Sequence, residues 1–372
     1  MKNLLAAAAA RFRQEPVLCL FGAAAVVTMF FVPPSPSYFG YIDLRVLCLL
    51  FCLMVVVAGF QECGLFHVLA RGLLTREKHL HAVLLTLVLL PFFSSMLITN
   101  DVALLTFVPF TFLILDLTGQ QAYKIRTVVL QTIAANLGSM ATPVGNPQNL
   151  YLYNQYGISA GSFFSSVLPI AAVSLLVLVL FSVCVKNTTL RFSLPQAQTN
   201  ANFKMLILLA VLFLLCLLSV FRILHYAVLF AAVLTSLLVF DRSLLKRADY
   251  GLLLTFVCFF IFAGNIGQIA PVRQALTAVL TKNTLLTAVG LSQFISNVPA
   301  AVLLSGFTKN WHGLLLGVDI GGLGTPVASL ASLISLKLYI KQKDARPARF
   351  LLWFMAANLL MLCLLLIFTS LL

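Results

Sequence analysis

The stretch SSMLITNDVALLTFVPF, residues 94–110, has the composition of a membrane segment, yet Asn100 and Asp101 lie at its centre with no charged neighbour inside it. A carboxylate at bilayer depth costs at least ~2.5 kcal/mol. An ionisable residue there is a functional candidate by default, so the fold and the function both turn on how this stretch meets the membrane.

The rest of the chain is of the same kind. Of its 372 residues, 61% are hydrophobic and only 9% charged, with a mean hydropathy of +1.05. A soluble core of this size would carry a far more charged surface. Apolar runs of roughly 18 residues or more recur, each long enough to span the hydrocarbon layer. They fall near 17–33, 43–70, 79–116, 127–157, 162–185, 203–220, 222–240, 250–270, 284–308, 311–340 and 348–371. The chain is therefore an all-α polytopic membrane protein whose first partner is the lipid bilayer. Its eight cysteines lie in apolar stretches with no CxxC pair, so neither a disulfide frame nor a metal site is signalled. Cys48 and Cys52 share a helix face and read as interface filling. No A-x-A-like cleavage site follows the first apolar run, which reads as a retained span.

Four segments are not plain spans. Segment 127–157 would be ~46 Å long as one helix, and it contains GSMATPVGNPQN, with two prolines and two glycines. Segment 311–340 carries the similar interruption GGLGTPVASL. Segments 79–116 and 284–308 each hold polar residues and a proline near the middle, in PFFSSMLITND and SQFISNVPA. These two read as re-entrant hairpins, since irregular backbone at membrane depth must be buried in protein or line a wet cavity.

Charge placement tests this reading. With Lys2, Arg11 and Arg13 inside and the two hairpins returning to their own side, Arg71, Arg76, Lys78, Lys124, Arg126, Lys186 and Arg191 fall inside. So do Arg242, Lys246, Arg247, Lys341, Lys343, Arg346 and Arg349. About 19 of the 24 basic residues then lie on the cytoplasmic face. The formal charge of +14 is thus an orientation signal rather than a nucleic-acid patch. The expected place is a bacterial cytoplasmic (inner) membrane, with the N-terminus inside.

The two halves repeat. GSMATPVGN (138–146) aligns with GGLGTPVAS (321–329), and each is preceded by a hairpin with a central Asn, Asn100 or Asn297. VAGFQECGLF (57–66) and FAGNIGQI (262–269) stand earlier in each half. The expected order is a cytoplasmic N-terminus (1–16), a first repeat (17–185), a loop and linking span (186–221) and a second, inverted repeat (222–372). Inverted repeats with broken helices are a signature of secondary transporters. Thr99, Asn100, Asp101, Thr142, Asn146 and Asn149 are expected to form one half-site. Ser296, Asn297, Thr325 and Ser329 form the other, with both tips facing a central cavity. Gly145 and Gly324 let the backbone approach the ligand. Hydroxyls and carbonyls suit a hard cation such as Na+, with Thr99, Asn100 and Asp101 as its candidate ligands. Half-helix N-termini suit an anion.

Duplicated hairpin-tip Asn motifs with TP-containing breaks resemble the ion transporter superfamily over essentially the whole chain. That group includes divalent anion:sodium symporters, citrate-transporter-like permeases and arsenite-efflux permeases. TNDVALLTFVPF looks most like the arsenite and citrate branch. The resemblance implies a scaffold and a moving transport domain, usually in a homodimer with elevator-type motion. It departs from the symporter pattern at Val298, which removes a hydroxyl from the second tip, and at Asp101, which adds a carboxylate. Asp101, the only acidic residue at either tip, is the expected coupling residue. Glu62 reads as structural, near Arg71, and Asp319 as either a gate or part of the site. The expected function is secondary transport of a small anion, a carboxylate such as citrate or an oxyanion, coupled to Na+ or H+ and without any other cofactor. Arsenite-type efflux, sodium/proton exchange and a channel are the alternatives. An enzyme is disfavoured, because neither H-E-x-x-H nor G-x-S-x-G occurs.

Overall fold

The protein is described by a computed structural model covering residues 16–65, 78–185, 188–190 and 203–371. The charge readings of Lys2, Arg11, Arg13, Arg71, Arg76, Lys186 and Arg191 lie outside the described residues, as does most of the expected 1–16 segment.

The chain is helical almost throughout. The helices are α1 (Pro16–Met29), α2 (Leu44–Glu62), α3 (Leu80–Ser94), α4 (Asn100–Leu117), α5 (Lys124–Ser139), α6 (Pro147–Gln155), α7 (Ala160–Val183) and α8 (Phe203–Val220). They continue as α9 (Tyr226–Phe240), α10 (Tyr250–Gln268), α11 (Ala270–Lys282), α12 (Thr284–Ile295), α13 (Asn297–Ser305), α14 (Trp311–Gly321), α15 (Leu330–Ile340) and α16 (Pro347–Leu371). A two-residue antiparallel ladder pairs Lys78–His79 with Thr189–Leu190. Six of the described helices, α2, α4, α7, α8, α10 and α16, are long and apolar enough to cross a membrane.

Local chemistry sets the ends. The Asp43 carboxylate caps α2 by accepting from the Val46 N–H at 3.0 Å. Both expected interruptions are real. Segment 127–157 divides into α5 and α6, and α6 restarts with Asn146 as its cap and Pro147 at its first position. Segment 311–340 divides into α14 and α15, with Ser329 as the new cap. Segment 79–116 divides into α3 and α4 around a loop at 95–99, and segment 284–308 into α12 and α13 around Ser296 alone. α11 occupies a stretch in which no element was expected. It is amphipathic, with Arg273 and Lys282 exposed.

The helices pack in two groups. α1, α2, α8, α9 and α10 pack on one another, while α3–α7 and α12–α16 form a second body. α10 against α13 and α2 against α6 join them. Packing within the second body is reciprocal. α3 lies on α5 as α12 lies on α14, and α4 meets α15 as α13 meets α6. The middle is sealed by fully buried side chains such as Phe92, Phe107, Phe163, Phe256 and Phe350. Leu176, Leu180, Leu352, Leu360 and Ile367 stand exposed on α7 and α16, where lipid is their natural solvent.

Candidate functional site

Each turn between paired helices, at 95–99 and at Ser296, is tied to the helix break of its own half. The Asn100 N–H donates to the Gly145 carbonyl at 3.3 Å, and the Asn297 N–H donates to the Ala328 carbonyl at 2.9 Å. Gly145 and Ala328 stand at equivalent positions when Gly138 is aligned with Gly321. Both contacts satisfy the first backbone donor of a helix that starts inside the protein. The Thr142 hydroxyl donates to the Met96 carbonyl, fixing the first break to its tip. In the second half Gln293 takes this role. Its Oε1 accepts from the Thr325 N–H at 2.9 Å, its Nε2 donates to the Gly321 and Leu323 carbonyls, and its own carbonyl accepts from the Thr325 hydroxyl.

The two halves then meet through side chains. Asn136 Nδ2 donates to Ser329 Oγ at 3.1 Å, while Asn136 Oδ1 accepts from Asn100 Nδ2 at 3.0 Å. In return, Asn146 Nδ2 donates to Asp319 Oδ1 at 3.2 Å, joined by Gln148 Nε2 at 3.4 Å. Asn136 and Asp319 each stand two residues before the aligned glycines, and Asn146 and Ser329 each stand eight after them. The contact made by the first half is therefore returned by the second. All of these side chains are buried. Asp319 Oδ2 and Asn149 Oδ1 are buried without a hydrogen-bond partner among the described residues. Among the described residues, Asp319 has no ion pair.

A cavity of about 310 Å³ opens between α2 and the first tip. Thr99, Asp101, Gln61, Arg247 and Asp249 supply its polar wall, and Val144, Pro147, Leu330 and Ile334 come from the two breaks and α15. Asp101 Oδ1 is buried and has no hydrogen-bond partner among the described residues. Arg247, at the mouth, pairs with Glu62 at 2.5 Å. Glu62 thus has Arg247 as its partner. The expected neighbour, Arg71, lies outside the described residues.

Of the expected site residues, only Thr99 and Asp101 line this cavity. Asn100, Thr142 and Gly145 hold tip and break together, Asn146 reaches Asp319 in the other half, and Asn149 bonds back within the break. Ser296, Asn297, Gly324, Thr325 and Ser329 are absent from its walls, so the second tip does not share it. The Asn100 Oδ1 accepts from the Asp101 N–H at 3.0 Å, which uses one of its two lone pairs. Asn136, Gln148 and Gln293 escaped the sequence reading, and Arg247 entered it only as an orientation charge. Extending the repeat alignment by two residues toward the N-terminus sets Asn136 opposite Asp319, each polar in an apolar run, and would have found that pair.

This multi-pass membrane protein, with polar groups gathered at its helix breaks, is a transporter by family. More particularly, the chain belongs to the CitMHS citrate transporter family, whose model matches residues 5–310. It is 32% identical over 320 residues to an uncharacterized transporter of Methanocaldococcus jannaschii, covering 84% of this chain and 86% of that one. It is 32% identical over 321 residues to the inner membrane protein YbiR of Escherichia coli K12, covering 83% and 84%. A shorter match, 32% over 151 residues, covers 40% of this chain and 30% of the silicon efflux transporter LSI3 of Oryza sativa subsp. japonica.

Proposed function

We propose that this protein is a secondary active carrier of a small anion, a carboxylate such as citrate or an oxyanion, coupled to Na+ or H+. The supporting observation is reciprocity. The exchanged pairs Asn136–Ser329 and Asp319–Asn146 are what a two-fold axis between the halves generates. With α8 as the linking span, that axis lies in the membrane plane and the repeats are inverted. α12 and α13, at about 18 and 14 Å, are each too short to cross a ~30 Å core and form a re-entrant hairpin. α3 and α4 are its counterpart by the same tip-to-break bond, although α4 is long enough to cross. The second helical body moves as an elevator against the first, in a homodimer in the cytoplasmic membrane, with the N-terminus inside.

The cavity charge constrains the solute. Among the described residues, two carboxylates, Asp101 and Asp249, share its wall with one arginine that is already paired. A bare anion is repelled unless a cation enters with it. Asp101 is the group that accepts this cation, with the Thr99 hydroxyl beside it as a second oxygen ligand for Na+. The same negative balance favours a second reading, efflux of an uncharged hydroxylated solute of the arsenite type. The rice silicon transporter lends that reading support.

Uptake by proteoliposomes under imposed pH and Na+ gradients tests the proposal. Asp101→Asn should still bind citrate or the transported oxyanion but lose gradient-driven accumulation. Unchanged accumulation with unchanged ion dependence would remove Asp101 from the coupling step.

A further inference from the structure

A second polar cavity, of about 450 Å³, lies between the N-terminal ends of α5 and α16, away from the tips. Lys124, Arg126, Arg346 and Arg349 line it, against one acid, Asp344. Asp344 is already paired with Lys124 at 3.1 Å, and Lys124 also pairs with Asp116 at 2.8 Å. Three arginines therefore leave the wall strongly positive. Arg126 and Arg349 stand on α5 and α16, and the loop that carries Arg346 is fixed in place. The Arg346 N–H donates to the Tyr339 hydroxyl at 3.1 Å, and the Tyr339 ring stacks on Phe350 at 4.6 Å. Neither α5 nor α16 has an acid in its first turn, so both helix N-termini add positive potential.

An apolar groove of about 350 Å³ continues from this cavity along α5, α7 and α16. Arg126 and Trp353 line both spaces. Beyond them the groove is walled by side chains such as Val129, Ile133, Leu178, Met361 and Leu364. The Arg126 guanidinium is anchored at the junction by donating to the Phe181 carbonyl. Trp353, half-exposed, suits a boundary between head group and acyl chain.

We propose that this paired space is a binding site for an anionic phospholipid, its phosphate among Arg126, Arg346 and Arg349 and one acyl chain in the groove. Arginine forks match phosphate oxygens, and basic pockets between spanning helices on the cytoplasmic side hold anionic head groups. A free phosphate would use the cavity and leave the groove empty. The continuity of the two spaces selects a lipid. Because α5, α7 and α16 belong to the second helical body, the lipid would travel with it. The site is independent of the identity of the transported solute.

Brominated lipids read the site directly. The chain has two tryptophans, so Trp311→Phe leaves Trp353 as the only one. In phosphatidylcholine nanodiscs, brominated phosphatidylglycerol should quench Trp353 more strongly than brominated phosphatidylcholine at equal mole fraction. Removing Arg346 and Arg349 as glutamines should weaken that preference about fivefold for each arginine. Lys341→Gln with Lys343→Gln, in the same basic loop but outside the cavity, should leave it intact. Ala356→Phe, which fills the groove, should abolish it with every arginine in place. Arg346 and Arg349 are exposed, and an unchanged unfolding temperature shows that their variant is folded. Equal quenching by the two lipids would overturn the proposal in favour of ordinary annular lipid. Loss of the preference on adding inorganic phosphate would overturn it in favour of a free-ion site. Absence of quenching by either lipid, with a dimer mass, would assign the groove to a second copy of the chain.

Discussion

The two turn-and-break units share a frame and differ in where they place a carboxylate. In the first, the tip is a five-residue loop that puts Asp101 on a cavity wall. In the second, the tip is Ser296 alone, at φ +72°, locked to its break by Gln293. Its acid, Asp319, is one step back on the broken helix and sealed between the halves. The first half has Asn136 at that position. The backbone bond from tip to break is kept in both, so it is the structural constant. The carboxylate is the variable, and its position divides the labour: one unit meets the cavity, the other closes the interface.

The harshest way to break this comparison is at the glycines of the two breaks. A Cβ on Gly145 would stand 2.2 Å from the Ser139 carbonyl oxygen and 2.7 Å from that of Ser95, both backbone. On Gly324 it would meet Gln293 Oε1 at 2.3 Å, the end of a side chain, at φ +101°. Gly145→Ala is therefore expected to cost upward of ~4 kcal/mol and to yield no monodisperse peak in size exclusion. Gly324→Ala should cost about 1–3 kcal/mol, lowering the unfolding temperature of a protein that still folds. Equal damage at both would mean that the two breaks are equally rigid.

Next in size is the exchange at Asp319. Asp319→Ala strips Asn146 and Gln148 of their shared acceptor, and each buried donor left unpaired costs about 1–3 kcal/mol. Asp319→Asn keeps an acceptor oxygen and copies what Asn136 does in the first half. It should unfold within ~1 kcal/mol of wild type and still accumulate substrate. Thermal unfolding and gradient-driven uptake, run beside Asp101→Asn, decide the matter. If Asp319→Asn loses accumulation while Asp101→Asn keeps it, the sealed carboxylate is the coupling group and the division of labour is reversed.

Much of this was legible in the sequence because helix breaks are local chemistry. Pro143, Pro147 and the flanking glycines forbid a continuous helix wherever the chain goes, and Asn100 and Asn297 are conspicuous against apolar neighbours. The roles of these residues were less legible. An Asn in an apolar run can line a cavity or bond to a neighbour, and periodicity does not separate the two. Asn136 lies inside an unbroken helix and gives no local signal. Arg247 was counted only as an orientation charge, since its place on the cavity wall depends on how α2 and the Arg242–Arg247 turn come together.

That arginine gives the smallest expected change in stability and the sharpest test of the solute. The Glu62–Arg247 pair is open to solvent, with side chains 35% and 64% exposed. Breaking it should alter stability by no more than ~1 kcal/mol. Its effect on the cavity is larger, because among the described residues Arg247 is the only basic side chain on a wall that also holds Asp101 and Asp249. Glu62→Gln releases the guanidinium toward those carboxylates and makes the cavity less negative. Arg247→Gln removes its one positive charge. For an anionic solute, binding should tighten a few-fold in Glu62→Gln and weaken in Arg247→Gln, more steeply at low salt, where screening is weak. An uncharged hydroxylated solute would bind almost equally to both. Binding isotherms of citrate and of a neutral oxyacid to the two variants, at low and high ionic strength, separate these outcomes. Opposite shifts for citrate establish an anion site beside the first tip. Flat isotherms for citrate, with saturable binding of the neutral acid, would give the cavity to the efflux reading instead.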